Sequence, residues 1–168
     1  MRARLRLELS DPQGCILTVR EEYNSVMQGG AELIGNLIAG RGSPITHMGV
    51  GTSDSPETGT FNTAQLSNVA VGDIPPLATP TEIALPPDAF AAPQLDEARR
   101  VVRVRIRSTL PPTAAVGTIR EAGLLSRTEA STILYNRVVF APLVKNDDHE
   151  LTLFWEVSFP YGDLQWLL

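Results

Sequence analysis

Apolar residues at strictly alternate positions constrain this chain more than any other feature. Leu5, Leu7 and Leu9 alternate with Arg4, Arg6 and Glu8 near the start, and Leu151, Leu153, Trp155, Val157 and Phe159 share one face near the end. A period of two buries one side of a strand and cannot line one side of a helix. Between them, Val102, Val104 and Ile106 face away from Val101, Arg103, Arg105 and Arg107, and Leu110-Pro111-Pro112 stops the run. Residues 116–125 and 133–143 supply two more candidate strands. Asn146-Asp147-Asp148-His149 is the turn expected to join the last two strands as an antiparallel hairpin. Strands at this spacing, with the main sheet over 98–160, predict a mainly β fold, an antiparallel β-sandwich or barrel-like domain.

Three segments depart from this rhythm. Asp11-Pro12-Gln13-Gly14 reads as a turn, so residues 1–20 are expected to form an N-terminal hairpin, with Cys15 to Val19 as a second short strand or the lead-in to a helix. Over 24–40 the period becomes helical: Val26, Leu33, Ile34, Leu37 and Ile38 are spaced for one face, Asn24 or Ser25 can cap the start, and Gly40 sits where a C-cap belongs. Gly29-Gly30 weakens the first turns, which leaves 31–39 as the firm part of one packed α-helix. After a short strand from Ile45 to Gly51 and a loop to Thr60, residues 71–93 carry six of the thirteen prolines. Proline lacks an amide donor and clashes inside a helix, so this stretch reads as a long, extended, surface-running arm or loop.

Length and composition narrow the classes. A chain of 168 residues with 43% hydrophobic and 20% charged residues is large and apolar enough to bury a core as one domain over 1–168. No run is long enough to cross a bilayer, and the alternation after Met1 is not that of a signal region, so no passage through a membrane is expected. One cysteine, Cys15, and two histidines cannot staple a disulfide scaffold or build a structural zinc site. A net charge of −5 removes the usual electrostatic basis of specific nucleic-acid binding.

Several constellations could carry chemistry, and each has a plainer reading. Gly49-Val50-Gly51-Thr52 could cradle a phosphate, but no Gly-Lys-Ser/Thr follows, so it reads as a strand running into a loop. His47, His149 and Cys15 belong to no recognisable nucleophile motif, and a lone cysteine is expected to be a small buried hydrophobe. Asp147-Asp148-His149-Glu150 and Asp54 with Glu57 lack calcium-loop spacing and read as solvated turns. Glu121 and Glu156, set in apolar strands, could do acid–base work and are expected instead each to pair with an arginine such as Arg120 or Arg137 or to sit on the exposed face. No cofactor or metal and no enzymatic activity is expected.

The second half resembles small structural proteins of tailed bacteriophages. Ile119-Arg120-Glu121-Ala122-Gly123-Leu124, then Phe140-Ala141-Pro142-Leu143-Val144-Lys145, then Leu151-Thr152-Leu153-Phe154-Trp155 is similar to the order of strand motifs in neck, collar and tail-fibre-attachment proteins. Met48-Gly49-Val50-Gly51-Thr52, with Thr63-Ala64-Gln65-Leu66 downstream, is similar to an earlier segment of the same group. The likeness runs from Ile45 to Val157 with a gap over the proline-rich stretch. It implies a non-enzymatic virion protein assembled in the bacterial cytoplasm, homo-oligomeric as a ring or radial decoration, docking to other neck, tail or baseplate proteins. The expected contacts are Arg2, Arg4 and Arg6 in the first strand, the Arg103, Arg105 and Arg107 ladder, and the apolar residues Ile74, Leu77, Ile83, Leu85 and Phe90 of the arm. Trp166, Leu167 and Leu168 complete the set, being strongly apolar for an exposed segment. From a different class, a carbohydrate- or host-surface-binding β-sandwich would need exposed aromatics such as Tyr161 and Trp166.

Overall fold

The computed structural model describes residues 2–56 and 61–162. Nine strands and one helix follow in chain order: β1 (Arg2–Ser10), β2 (Ile16–Val26), α1 (Gln28–Ile38), β3 (His47–Gly51), β4 (Glu82–Ala84), β5 (Gln94–Asp96), β6 (Val101–Leu110), β7 (Gly117–Arg127), β8 (Thr132–Lys145) and β9 (Glu150–Pro160). They form one antiparallel sheet in the order β4-β3-β7-β8-β2-β1-β9-β6-β5, curled into a half-barrel. Among the described residues the strand pairing that joins its two wings is two residues long: Ser25 opposite Arg137 and Val26 opposite Asn136. One wing is β4-β3-β7-β8, the other β2-β1-β9-β6-β5.

The alternating residues meet as their period demands. Leu5 lies between Glu22 on β2 and Trp155 on β9, and Leu7 between Arg20 and Leu153. Leu5, Leu7, Leu151, Leu153 and Trp155 are buried in one cluster with Ile119, Leu124, Val138, Phe140 and Leu143 of the other wing. Each wing thereby covers the apolar face of the other.

Two expectations about connectivity are corrected. β8 and β9 are not a hairpin: β9 pairs with β1 from Glu150 to Ser158 and with β6 on its other side, while β8 pairs with β7 and the end of β2. The turn at Asn146–His149 carries the chain from one wing to the other. A period of two says which face is buried and nothing about which strand lies alongside. Second, Asn24 and Ser25 do not cap the helix, because β2 runs on to Val26 and Met27 is the N-cap residue without a side-chain hydrogen bond. The Gln28 amide instead donates to the Phe61 carbonyl at 2.8 Å, and the helix ends at Gly40 in the left-handed region with φ +70°.

The glycines that weaken the helix in isolation make it possible here. A Cβ on Gly30 would stand 2.0 Å from the Tyr135 carbonyl oxygen, so only glycine lets the first turn lie directly on β8.

The proline-rich stretch, residues 71–93, runs over the surface as a strap laced onto the half-barrel by a few of its apolar side chains. Leu77 is buried in the core, β4 pairs with β3, a 3-10 turn at Pro87–Ala89 follows, and Phe90 bridges to Ile106. The prolines exclude helix and central strand as expected. They leave an edge strand and turns, whose apolar side chains still have a core to enter.

Candidate functional site

The strap, the helix and the inner face of β6 and β9 enclose an apolar cavity of about 500 Å³ that opens to one side of the half-barrel. Leu33, Ile34 and Leu37 of α1 form one wall, and Val104, Ile106, Val157 and Phe159 form the floor. Leu85, Pro87 and Phe90 of the strap close the rim, with Pro44, Ile45 and Thr46 of the segment leading into β3 and Tyr135 of β8. Among the described residues Thr46 and Tyr135 bring the only polar side chains, and no ionisable acid or base other than the tyrosine lines the space. A space of this size and composition accepts an apolar group and excludes a charged one.

Leu85 and Phe90, expected as contacts for neighbours, line this cavity. Ile83 packs partly buried against the core, and Ile74 is half-buried in a bridge with Val71. Leu77, 3% exposed, is unavailable to a partner. The cavity also draws on Tyr135 and Pro44, which period and composition did not single out; the helix-face residues Leu33, Ile34 and Leu37 were legible as a face but not as a cavity wall.

Burial raises the Tyr135 phenol from 10.0 to about 12. An unfolded tyrosine ionises near 10, so between pH 10 and 12 the folded state holds a proton that the unfolded state has lost. This contribution to stability is present below pH 10 and is lost as pH rises toward 12, amounting to about 2–3 kcal/mol over the window. In a spectrophotometric titration Tyr135 should ionise only as the protein unfolds. Tyr135→Phe should remove the late step; a late step that survives it would contradict this assignment.

The two arginine groups that lie far apart in the sequence come together on the outer face. Arg4 and Arg105 flank Glu156 in register, and Arg6 and Arg107 flank Phe154. Glu156 takes Arg105 at 3.0 Å and Arg103 at 4.0 Å, Asp96 pairs with Arg103, and Arg107 lies over the Phe154 ring at 5.5 Å from its centroid. Glu21 and Glu8 answer Arg4 and Arg6. The ladder is therefore largely matched within the chain. Arg2 lies in β1 with its side chain outside the described residues, as do Trp166, Leu167 and Leu168 and the whole of Glu57.

The acidic candidates have structural partners. Glu121 and Arg137 form a buried pair at 2.5 Å, the expected arginine partnership. Arg137 also donates to the Ser55 carbonyl at 3.0 Å and to the Ser53 hydroxyl at 3.1 Å, while Glu121 accepts the Ser67 amide at 2.6 Å. The pair ties the loop after β3 to the sheet, and Gly51 is bare because a Cβ there would stand 2.4 Å from the Glu121 carboxylate. Asp54 pairs with Arg120 at 2.7 Å. His47 contacts the Thr46 hydroxyl at 2.9 Å, and His149 lies in the corner turn beside Asp148. Cys15 is exposed at the β1–β2 turn rather than buried, because its amide is held by the Asp11 carboxylate at 2.8 Å and the turn lies beyond the core.

Lys145 is fully buried at the end of β8, donating to the Pro112 carbonyl at 2.7 Å. Burial pushes its pKa down, and Glu150, Asp147 and Asp148 pull it back up. Among the described residues no group of three His, Cys, Asp or Glu side chains is placed to hold a metal, and no helix is long and apolar enough to cross a membrane. No family model, curated protein or solved structure matches this chain.

Proposed function

We propose that this chain is a non-enzymatic structural protein of a tailed-phage particle, a neck, collar or tail adaptor that assembles with copies of itself and docks onto neighbouring virion proteins. The observation that carries the reading is the open apolar cavity between α1, the strap and the β6–β9 floor. Its occupant is an uncharged apolar segment of a neighbouring virion subunit, since a lining with two hydroxyl groups and no charge rewards only apolar surface. The two wings then act as the layers of a rigid sandwich, and the strap as the rim of the docking site. A glycan is less well served, because sugars need several convergent polar groups and this lining has Thr46 and Tyr135 alone.

Quantitative mass spectrometry of gradient-purified particles tests the proposal. The chain is expected at a fixed copy number per portal ring, and its absence from particles would overturn the structural reading. Leu37 is 41% exposed at the cavity mouth, so Leu37→Asp leaves the core intact. Burying an unpaired carboxylate costs several kcal/mol, so particles assembled on this variant should carry it at about one-tenth of the normal copy number or less. Normal incorporation of Leu37→Asp would show that the cavity is not where the neighbour docks.

A further inference from the structure

We propose that two copies of this chain join edge to edge through β2, antiparallel about a twofold axis at Glu21, so that Arg20 of each copy faces Glu22 of the other. This deepens the homo-oligomeric reading above and rests on it for its biological meaning. Its starting point is the junction between the wings. β2 pairs with β1 as far as Asn24 but meets β8 only at Ser25 and Val26, so among the described residues Ile16 to Asn24 has no strand on its second side. A free edge of that length is a template for another strand; it has no proline and no lysine, and the charges it does carry, Arg20, Glu21 and Glu22, are of both signs, so they select the strand that can pair with it. Ile16, Leu17, Val19 and Tyr23 are 56%, 50%, 42% and 77% exposed.

The polar side chains identify the occupant as a second copy. Thr18, Arg20, Glu22 and Asn24 project on the same side as Leu9, Leu7, Leu5 and Ala3, their partners on β1. Among the described residues Arg20 and Glu22 make no ion pair, and Arg20 Nε and both polar atoms of the Asn24 side chain are buried without a hydrogen-bond partner. A twofold axis perpendicular to the sheet keeps each face on its own side, so residues opposite one another share a face. Centring the axis on Arg20 or Glu22 would set like charges opposite each other. Centring it on Glu21 sets Arg20 opposite Glu22 twice and Thr18 opposite Asn24 twice on the inner face. On the outer face it sets Val19 opposite Tyr23 twice, an aromatic–β-branched pairing that antiparallel strands favour. The remaining contact, Glu21 opposite Glu21, is met by Arg4 and Arg6, each 3.6 Å from the Glu21 carboxylate of its own copy.

Light scattering coupled to size exclusion on the isolated full chain reads the outcome without particles, so failure of the virion reading and failure of this one are separable. The wild type should run at twice its 18.2 kDa. R20E and E22R alone should each shift it to the monomer, because each sets like charges opposite one another, and R20E/E22R should restore the dimer. V19K/Y23K changes only side chains exposed in the monomer and should also dissociate it while the circular-dichroism melt stays unchanged. A wild type that is monomeric at micromolar concentration, an oligomer that survives V19K/Y23K, or folded single and double charge variants that behave alike would each overturn the proposal.

Discussion

Arg137→Ala is expected to destabilise the fold by about 3–5 kcal/mol, the usual cost of leaving one partner of a buried ion pair alone. Arg137 and Glu121 are 3% and 1% exposed, so water cannot take over from the missing guanidinium. The Glu121 carboxylate would keep one donor, the Ser67 amide, and the Ser53 and Ser55 anchors of the loop would be lost together. In a domain of this size the melting midpoint should fall by about 10 °C or more. Replacing both charges, Glu121→Leu with Arg137→Met, should recover most of the loss, since no buried charge is then left uncompensated. Urea unfolding of the parent and the two variants decides the matter: Arg137→Ala within about 0.5 kcal/mol of the parent, the range of ordinary surface changes, would mean that the pair does not hold the loop.

Trp155→Ala should have an effect of similar size for a different reason. Trp155 is 1% exposed on β9, with Leu5 of β1 on one side and Ile106 of β6 on the other. Removing the indole leaves a cavity at the centre of the wing, at a cost of about 3–5 kcal/mol. Trp155→Phe should cost much less than the lost volume suggests. The indole Nε1 is buried without a hydrogen-bond partner, and phenylalanine abolishes that unsatisfied donor along with part of the ring. If the two variants lose the same stability, ring volume is not what Trp155 supplies to the core.

Much of the fold is legible in the residues one at a time. The period of β1, β6 and β9 marks their buried faces, Leu110-Pro111-Pro112 marks the end of β6, and Gly40 marks the end of α1. The partnership of Glu121 with an arginine follows from the cost of burying a carboxylate alone. Less of the site can be read this way. The cavity takes its walls from α1, the strap, β6, β8 and β9, and no local signal relates Leu37 to Phe90 or to Phe159. The strap reads as a surface-running arm or loop because its prolines report what it cannot be, while burial of Leu77 and Ala89 depends on a surface built elsewhere in the chain.

What the sequence by itself determined is the class of structure and the side on which each strand is buried, because alternation and breaker residues act within a few positions of the chain. Only the tertiary structure decided which strands are neighbours. β8 and β9 are separated by a four-residue turn yet lie in different wings, while β1 and β9, far apart in the sequence, pair along the whole of β1. The physical reason is that one strand's backbone edge is chemically much like another's, so pairing is selected by how all the apolar faces can be covered at once. The same global choice left β2 paired on one side and opened the cavity between the helix and the strap. The two surfaces proposed to meet other molecules are therefore products of the assembly of the whole domain.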